Sequence, residues 1–170
     1  MGTGSCIRCS SCGYGIHVRE GVGMMYSPSA VFYGRCDDPT QNWSGAFPAG
    51  LCEDGKPLLL GLVKSERIKK AAFNLLSEGA RPGEYGHELY VCPKCMRFEN
   101  LFYFELVCSS GNYEPDYKCT KCRTIMKPVA IRDSAVQTEI MYRDQRKVEW
   151  KCPKCGGEEI SWMTDCICWD

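Results

Sequence analysis

Cys152-Pro-Lys-Cys-Gly-Gly157 is the stretch that decides the fold, because it places two thiols two residues apart at a turn. Proline fixes φ after the first cysteine, and glycine after the second allows the chain to reverse. Three more pairs have this CxxC spacing: Cys9/Cys12, Cys92/Cys95 and Cys119/Cys122. Two such turns can aim four sulfur atoms at one point, the tetrahedral shell that zinc prefers.

The composition favours metal over disulfides for these cysteines. The chain has 170 residues and 14 cysteines, a density that would suggest disulfides in a secreted protein. However, Met1 to Cys12 has no basic start followed by an apolar stretch, so we expect no signal peptide. The apolar runs are also too short to span a bilayer. We therefore expect a cytoplasmic protein that makes no membrane contact and holds two Zn²⁺ ions.

Lys plus Arg and Asp plus Glu are both 21, so the total charge indicates no partner class.

The segment pattern suggests two units. Residues 109–116 are the best linker, between an N-terminal unit (1–108) and a C-terminal unit (117–170). The simplest partition gives one site to Cys9, Cys12, Cys92 and Cys95, and the other to Cys119, Cys122, Cys152 and Cys155. Two alternatives stay open: Cys92/Cys95 could pair with Cys119/Cys122, and Cys152/Cys155 could pair with Cys166 and Cys168.

The remaining segments predict a small, metal-stabilised α+β fold made of two zinc-ribbon units with rubredoxin-like knuckles. The first unit carries a long insertion, about 16–89, with one helix that begins after Ser65 and ends before Gly79. Leu58 to Val63 is a candidate for a short buried strand. Further strands are expected at 85–91, 98–107, 124–131, 136–142, 147–150 and 159–169, and 34–57 is expected to be loop.

Several stretches resemble a family of uncharacterised bacterial double zinc-ribbon proteins. They are Cys9-Ser-Ser-Cys-Gly-Tyr, Gly21-Val-Gly-Met, Glu84-Tyr-Gly, Leu89-Tyr-Val-Cys-Pro-Lys-Cys, Cys152-Pro-Lys-Cys-Gly-Gly and Trp169-Asp170. The resemblance implies two ribbons paired as in the simplest partition, and no established activity. This chain departs from the pattern at Met96 and Arg123 and in six extra cysteines, which leave a third metal site open: Cys6, Cys36, Cys52, Cys108, Cys166 and Cys168.

A weaker resemblance is to rubredoxins, which hold iron and carry electrons. Twenty-nine residues separate Cys122 from Cys152, similar to the gap in that family. The acidic middle of rubredoxins is missing, and Arg123 stands where they carry glycine. Iron and zinc accept the same four sulfurs, so spacing does not choose between them, and iron is the second choice.

The functional prediction is a non-enzymatic binding or adaptor module. A closed four-cysteine site leaves no position for a reacting water, and no catalytic motif occurs in the chain. Residues 116–154 carry ten Lys or Arg against five Asp or Glu, with aromatic residues between them. Such a surface suits nucleic acid, although another protein is the close alternative and no small-molecule substrate is evident. The predicted contacts are Lys118, Lys121, Arg123, Lys147, Trp150 and Lys151.

Overall fold

The computed structural model describes residues 2–23, 26–35, 56–133 and 138–169, with the side chains of Asp133 and of 164–169 outside the description. Eleven elements follow one another within these ranges. They are β1 (Gly2–Cys9), β2 (Gly15–Glu20), α1 (Pro28–Tyr33), α2 (Leu59–Leu62), α3 (Glu66–Ser77), β3 (Arg81–Val91), β4 (Phe98–Cys108), β5 (Gly111–Tyr113), β6 (Lys127–Asp133), β7 (Thr138–Tyr142) and β8 (Ile160–Trp169).

A three-stranded sheet brings the two ends of the chain together. Its order is β2-β1-β8, and both pairings are antiparallel. The register sets Cys9 opposite Ile160 and Gly2 opposite Trp169. The last strand therefore completes the sheet that the first hairpin begins.

The second sheet has five strands in the order β5-β4-β3-β6-β7. Its centre is the long hairpin of β3 and β4, which closes at the pair Val91 and Phe98. Strand β6 joins the other edge of β3, where Leu89 lies opposite Val129. The hairpin end of this sheet therefore lies beside the Cys92/Cys95 turn.

The sheets do not follow the division into residues 1–108 and 117–170. Each sheet contains strands from both sides of the expected linker, and β5 occupies part of the linker itself. The reason is that β1 and β3 each have two hydrogen-bonding edges, and a strand from the C-terminal part pairs with one edge of each.

The predicted helix is present as α3. Ile68 and Ala72, one turn apart, are buried, and Gly79 ends the helix with φ of 94°, a left-handed conformation. Ser65 has the extended backbone of an N-cap, but its side chain makes no capping hydrogen bond.

Two strand predictions are wrong. Residues 58–63 contain the helical turn α2 and its two caps; Val63 N donates to Leu59 O, and these two side chains are both buried. A strand would place Gly61 on the same face as these two residues, but Gly61 is exposed, so the burial fits the helical spacing of four. A short apolar run in the sequence is compatible with either element. Residues 147–150 form no strand, although an isolated bridge joins Lys147 to Met141 and Val148 N donates to Ile140 O at 2.8 Å.

Two apolar clusters form the core. One packs the helices against β4, with Phe32, Leu59 and Phe104 fully buried. The other lies between the sheets, where Ile7 of β1 and Val91 of β3 belong to the same cluster. The two sheets therefore share apolar contacts. No helix in the described ranges is both long enough and apolar enough to cross a membrane.

Candidate metal centres

Eight cysteines form two tetrads. Cys9 and Cys12 meet Cys152 and Cys155 beside the three-stranded sheet, and we call this group centre A. Cys92 and Cys95 meet Cys119 and Cys122 beside the five-stranded sheet, and we call this group centre B. In each centre the four Sγ atoms lie within 4.8 Å of one another.

The sulfur separations fit a tetrahedral metal ion. In centre A the Sγ atoms of Cys9 and Cys155 are 3.6 Å apart, and so are those of Cys12 and Cys152. In centre B the Sγ separations run from 3.3 Å between Cys92 and Cys122 to 3.9 Å between Cys122 and Cys95. A tetrahedron with Zn–S bonds of about 2.3 Å has edges of about 3.8 Å. A disulfide bond is far shorter, about 2.05 Å, so these groups match metal ligands and not disulfides.

All four CxxC turns have the same backbone hydrogen bonds. The amide of the residue after the second cysteine donates to the first cysteine's carbonyl: Gly13 to Cys9, Met96 to Cys92, Arg123 to Cys119 and Gly156 to Cys152, at 2.8 to 3.0 Å. The first cysteine's amide donates five residues ahead, as from Cys9 N to Tyr14 O at 2.7 Å. This repeated pattern aims each pair of thiols at one point.

The turns at Met96 and Arg123 have the same conformation without glycine. The residue after the second cysteine has positive φ in all four turns, and the values are 69° at Gly13, 55° at Met96, 62° at Arg123 and 77° at Gly156. A non-glycine residue in this region costs roughly 1–2 kcal/mol. The rest of each turn therefore imposes the conformation even where the sequence does not favour it.

The partition predicted from the sequence is corrected by this grouping. The expected sites joined Cys9/Cys12 to Cys92/Cys95, and Cys119/Cys122 to Cys152/Cys155, but the structure exchanges the partners. The physical reason is strand pairing: β1 and β8 are antiparallel neighbours, so the turns at the Cys9 and Ile160 ends meet. The alternative that joins Cys92/Cys95 to Cys119/Cys122 is the arrangement observed.

Polar neighbours support thiolate ligands. Backbone amides approach two sulfurs of centre A, from Lys154 to Cys152 and from Gly157 to Cys155, each at 3.5 Å. In centre B, hydrogen bonds with the hydroxyl and the amide of Thr124 lower the pKa of Cys122 to about 6, whereas burial raises the pKa values of Cys92 and Cys95. Metal ions bind the deprotonated thiolate, so these contacts suit a metal site.

The extra cysteines add no ligand within the described side chains. Cys6 is buried and receives a hydrogen bond from Arg8 Nε at 3.1 Å, and Cys108 lies near Leu106 O. Neither belongs to a tetrad. Cys36 and Cys52 lie outside the described residues, as do the side chains of Cys166 and Cys168. The prediction of a third site stays open there.

Trp150 was predicted to contact nucleic acid, and its position contradicts this. Its side chain is 5% exposed and stacks on Phe98, with ring centres 5.3 Å apart and planes 19° apart. Its indole N–H donates to Met96 O at 2.8 Å. The residue packs in the core between the two centres, since Met96 belongs to the Cys92/Cys95 turn and Cys152 follows two residues after Trp150. An alternating basic and aromatic sequence does not reveal which rings face inward.

The five predicted basic contacts separate into two groups. Lys118, Lys121 and Arg123 are exposed at the Cys119/Cys122 turn, one of the two turns of centre B. By contrast, Lys147 pairs with Glu139 at 2.7 Å, and Lys151 pairs with Glu158 at 3.0 Å. Three further cations that the sequence pattern did not predict as contacts line the same cavity as Lys118 and Arg123; they are Arg19, Lys64 and Arg67. They come from β2 and the start of α3, so the basic pattern of residues 116–154 does not include them.

No family model, curated protein or solved structure matches the chain. The resemblance to double zinc-ribbon proteins and the weaker one to rubredoxins therefore stay predictions that rest on the cysteine motifs. The pairing of Cys119/Cys122 with Cys152/Cys155 that both resemblances imply is not the one observed. What the structure adds is two tetrads of cysteines at metal-binding separations.

Proposed function

We propose that the chain is a non-enzymatic, zinc-stabilised binding module of the cytoplasm. The observation that carries this proposal is the pair of closed four-thiol sets, one beside each sheet. Four thiolates fill a tetrahedral shell, so the ion has no open position for water or substrate and acts by holding the fold. Ligands that must stay reduced suit a reducing compartment.

The metal content tests this part directly. We expect two zinc ions in each purified chain, and a colourless protein, because eight thiolates in two tetrahedral sets match zinc. Elemental analysis together with an absorption spectrum makes the measurement. Red protein that contains iron would instead favour a rubredoxin-like electron carrier, and metal-free protein with its thiols oxidised in pairs would contradict both functions.

Nucleic acid is the partner class that we propose. The support is the exposed positive charge of Lys118, Lys121 and Arg123 on the turn of centre B. Among the described residues, no carboxylate lies within 4.0 Å of these three side chains. Phosphates would pair with such charges and release counterions. Lys147 and Lys151 already have glutamate partners, so the proposed surface is limited to the first three.

Two charge reversals at the same position of different turns test this surface. Lys121 and Lys154 are each the third residue of a CxxC turn, and both are exposed, but they belong to centres B and A. We expect Lys121→Glu to weaken binding of single-stranded nucleic acid about tenfold at low salt, and Lys154→Glu to change it less than about twofold. Fluorescence anisotropy over a salt series gives both affinities.

Binding should also weaken about equally for all sequences, because phosphate contacts carry no base information. Equal effects of the two reversals would contradict the proposed surface. If the wild-type protein binds no nucleic acid even at low salt, a protein partner takes the place of nucleic acid.

A further inference from the structure

A groove with a volume of about 740 Å³ lies beside centre B. Its walls come from the end of β2, the start of α3, the first half of β4 and the Cys119/Cys122 turn of centre B. This volume is within the range of about 300–1,000 Å³ that small-molecule sites occupy. The groove is therefore large enough for one ligand of nucleotide size.

The lining of the groove is strongly basic. Five cationic side chains face two carboxylates, a net of three positive charges: Arg19, Lys64, Arg67, Lys118 and Arg123 against Glu99 and Asp116. Burial, together with the charge of Arg19, lowers the pKa of His87 to about 4, so this histidine adds no charge at neutral pH. An anion is the ligand that such a lining favours.

Much of the positive charge is available to a ligand. Lys64, Lys118 and Arg123 are exposed, and none of them has a carboxylate within 4.0 Å among the described residues. Arg67 Nη2 donates to the backbone carbonyl of Asp116 at 2.9 Å, which fixes the guanidinium at the groove without neutralising it. These cations can therefore pair with phosphate.

Hydrogen bonds hold the groove wall in place. Asn100 ties β4 to the end of β2, because its side chain accepts from Arg19 N at 2.9 Å and donates to Arg19 O at 2.8 Å. Glu99 ties β4 to the turn of centre B by accepting from Thr120 Oγ1 at 2.9 Å. Thr120 lies between two ligand cysteines, so the metal centre supports this wall directly.

The groove also has an apolar part. Leu62, Leu101 and the half-buried ring of Tyr26 contribute to the lining. Tyr26 is kept in position through its backbone carbonyl, which accepts a hydrogen bond from Tyr85 OH at 2.7 Å. A partly exposed aromatic ring next to aliphatic side chains suits a planar, uncharged group such as a base.

From this combination we propose that the groove binds a nucleotide, with its phosphate paired to Lys64, Lys118 and Arg123 and its base against Tyr26. The inference rests on the proposed nucleic-acid contact and makes it more specific. The nucleotide is either a residue of a single strand or a free mononucleotide, and both present the same phosphate and base. Binding depends on centre B, since Lys118, Thr120 and Arg123 belong to its turn.

Lys64 and Lys70 provide a matched pair of substitutions. Both are exposed lysines near the start of α3, but only Lys64 lines the groove. We expect Lys64→Glu to weaken binding of a labelled poly(U) strand about tenfold, and Lys70→Glu less than about twofold. The salt dependence of the Lys64→Glu variant should be shallower by about 0.7 in log–log slope, the loss of one phosphate contact on a single strand.

Two substitutions of Tyr26 test the proposed contact between its ring and the base. Tyr26→Phe keeps the ring and should bind as wild type, whereas Tyr26→Leu should bind about tenfold more weakly if a base stacks there. Two metal ions per chain and an unchanged circular dichroism spectrum confirm that each variant is folded. Equal affinity of the phenylalanine and leucine variants would contradict the stacking contact.

The outcomes separate this inference from the proposed function. If Lys64→Glu and Lys70→Glu bind poly(U) equally while Lys121→Glu still weakens binding, the groove proposal is wrong and the surface proposal stands. If poly(U) does not bind but adenosine monophosphate does, and Lys64→Glu abolishes that binding, the groove holds a free nucleotide and the nucleic-acid proposal is wrong. If neither probe binds, both proposals are wrong.

Discussion

Cys152→Ser should remove one metal ion per chain and destabilise the three-stranded sheet, while centre B keeps its ion. Cys152 is buried and shares centre A with Cys9, Cys12 and Cys155. Structural zinc contributes on the order of 10 kcal/mol in small modules, so loss of this ion should destabilise the sheet whose strands it joins. Elemental analysis and amide hydrogen exchange measure the two effects. Protection should fall in β1, β2 and β8, and persist in β3 and β4.

A cysteine outside the tetrads serves as the control for this variant. Cys108 is partly buried on β4 and belongs to neither centre, so Cys108→Ser should keep both ions and the protection of β1 and β8. Loss of protection confined to residues 117–170 in the Cys152→Ser protein would contradict the shared sheet. Such a result would mean that the C-terminal part folds as its own unit.

Trp150→Ala should lower the free energy of unfolding by roughly 3–5 kcal/mol, the usual range for truncation of a buried tryptophan. The substitution removes the stacking on Phe98 and leaves Met96 O without the indole donor. Because the ring packs between the two metal centres, its loss loosens the core that joins them. Urea denaturation of zinc-loaded protein provides the measurement.

A conservative change separates the packing of Trp150 from its hydrogen bond. Trp150→Phe keeps an aromatic ring beside Phe98, but this ring is smaller and has no donor for Met96 O. The lost hydrogen bond should lower the free energy of unfolding by roughly 1 kcal/mol, in addition to the cost of the smaller ring. Loss of less than 1 kcal/mol in Trp150→Ala would contradict a core position. Poly(U) affinity of the folded alanine variant should stay that of wild type, because the side chain is buried.

Local patterns predicted the parts of this molecule that depend on neighbouring residues. Each CxxC turn is fixed by hydrogen bonds that span five residues or fewer, so the four pairs could be found from spacing alone. Helix α3 has its apolar period and its terminal Gly79 within one short segment. The run at 58–63 was ambiguous for a related reason, because it is too short for its period to distinguish helix from strand.

Long-range pairing could not be predicted in the same way. Cys9 and Cys155 are 146 residues apart, and their meeting depends on β8 pairing with β1. Nothing in the spacing of the cysteines favours this pairing over the simplest partition, because every CxxC turn offers the same two sulfurs. The groove was missed for the same reason, since its cations come from β2, the start of α3 and the turn of centre B.

The pairing of the four CxxC turns is tested most directly by the metal content of two double variants. Cys12→Ser/Cys152→Ser changes two ligands of centre A, and should therefore retain one ion per chain. Cys12→Ser/Cys95→Ser changes one ligand of each centre, and should retain none. The opposite result, one ion in the Cys12/Cys95 variant and none in the Cys12/Cys152 variant, would contradict the pairing and restore the simplest partition.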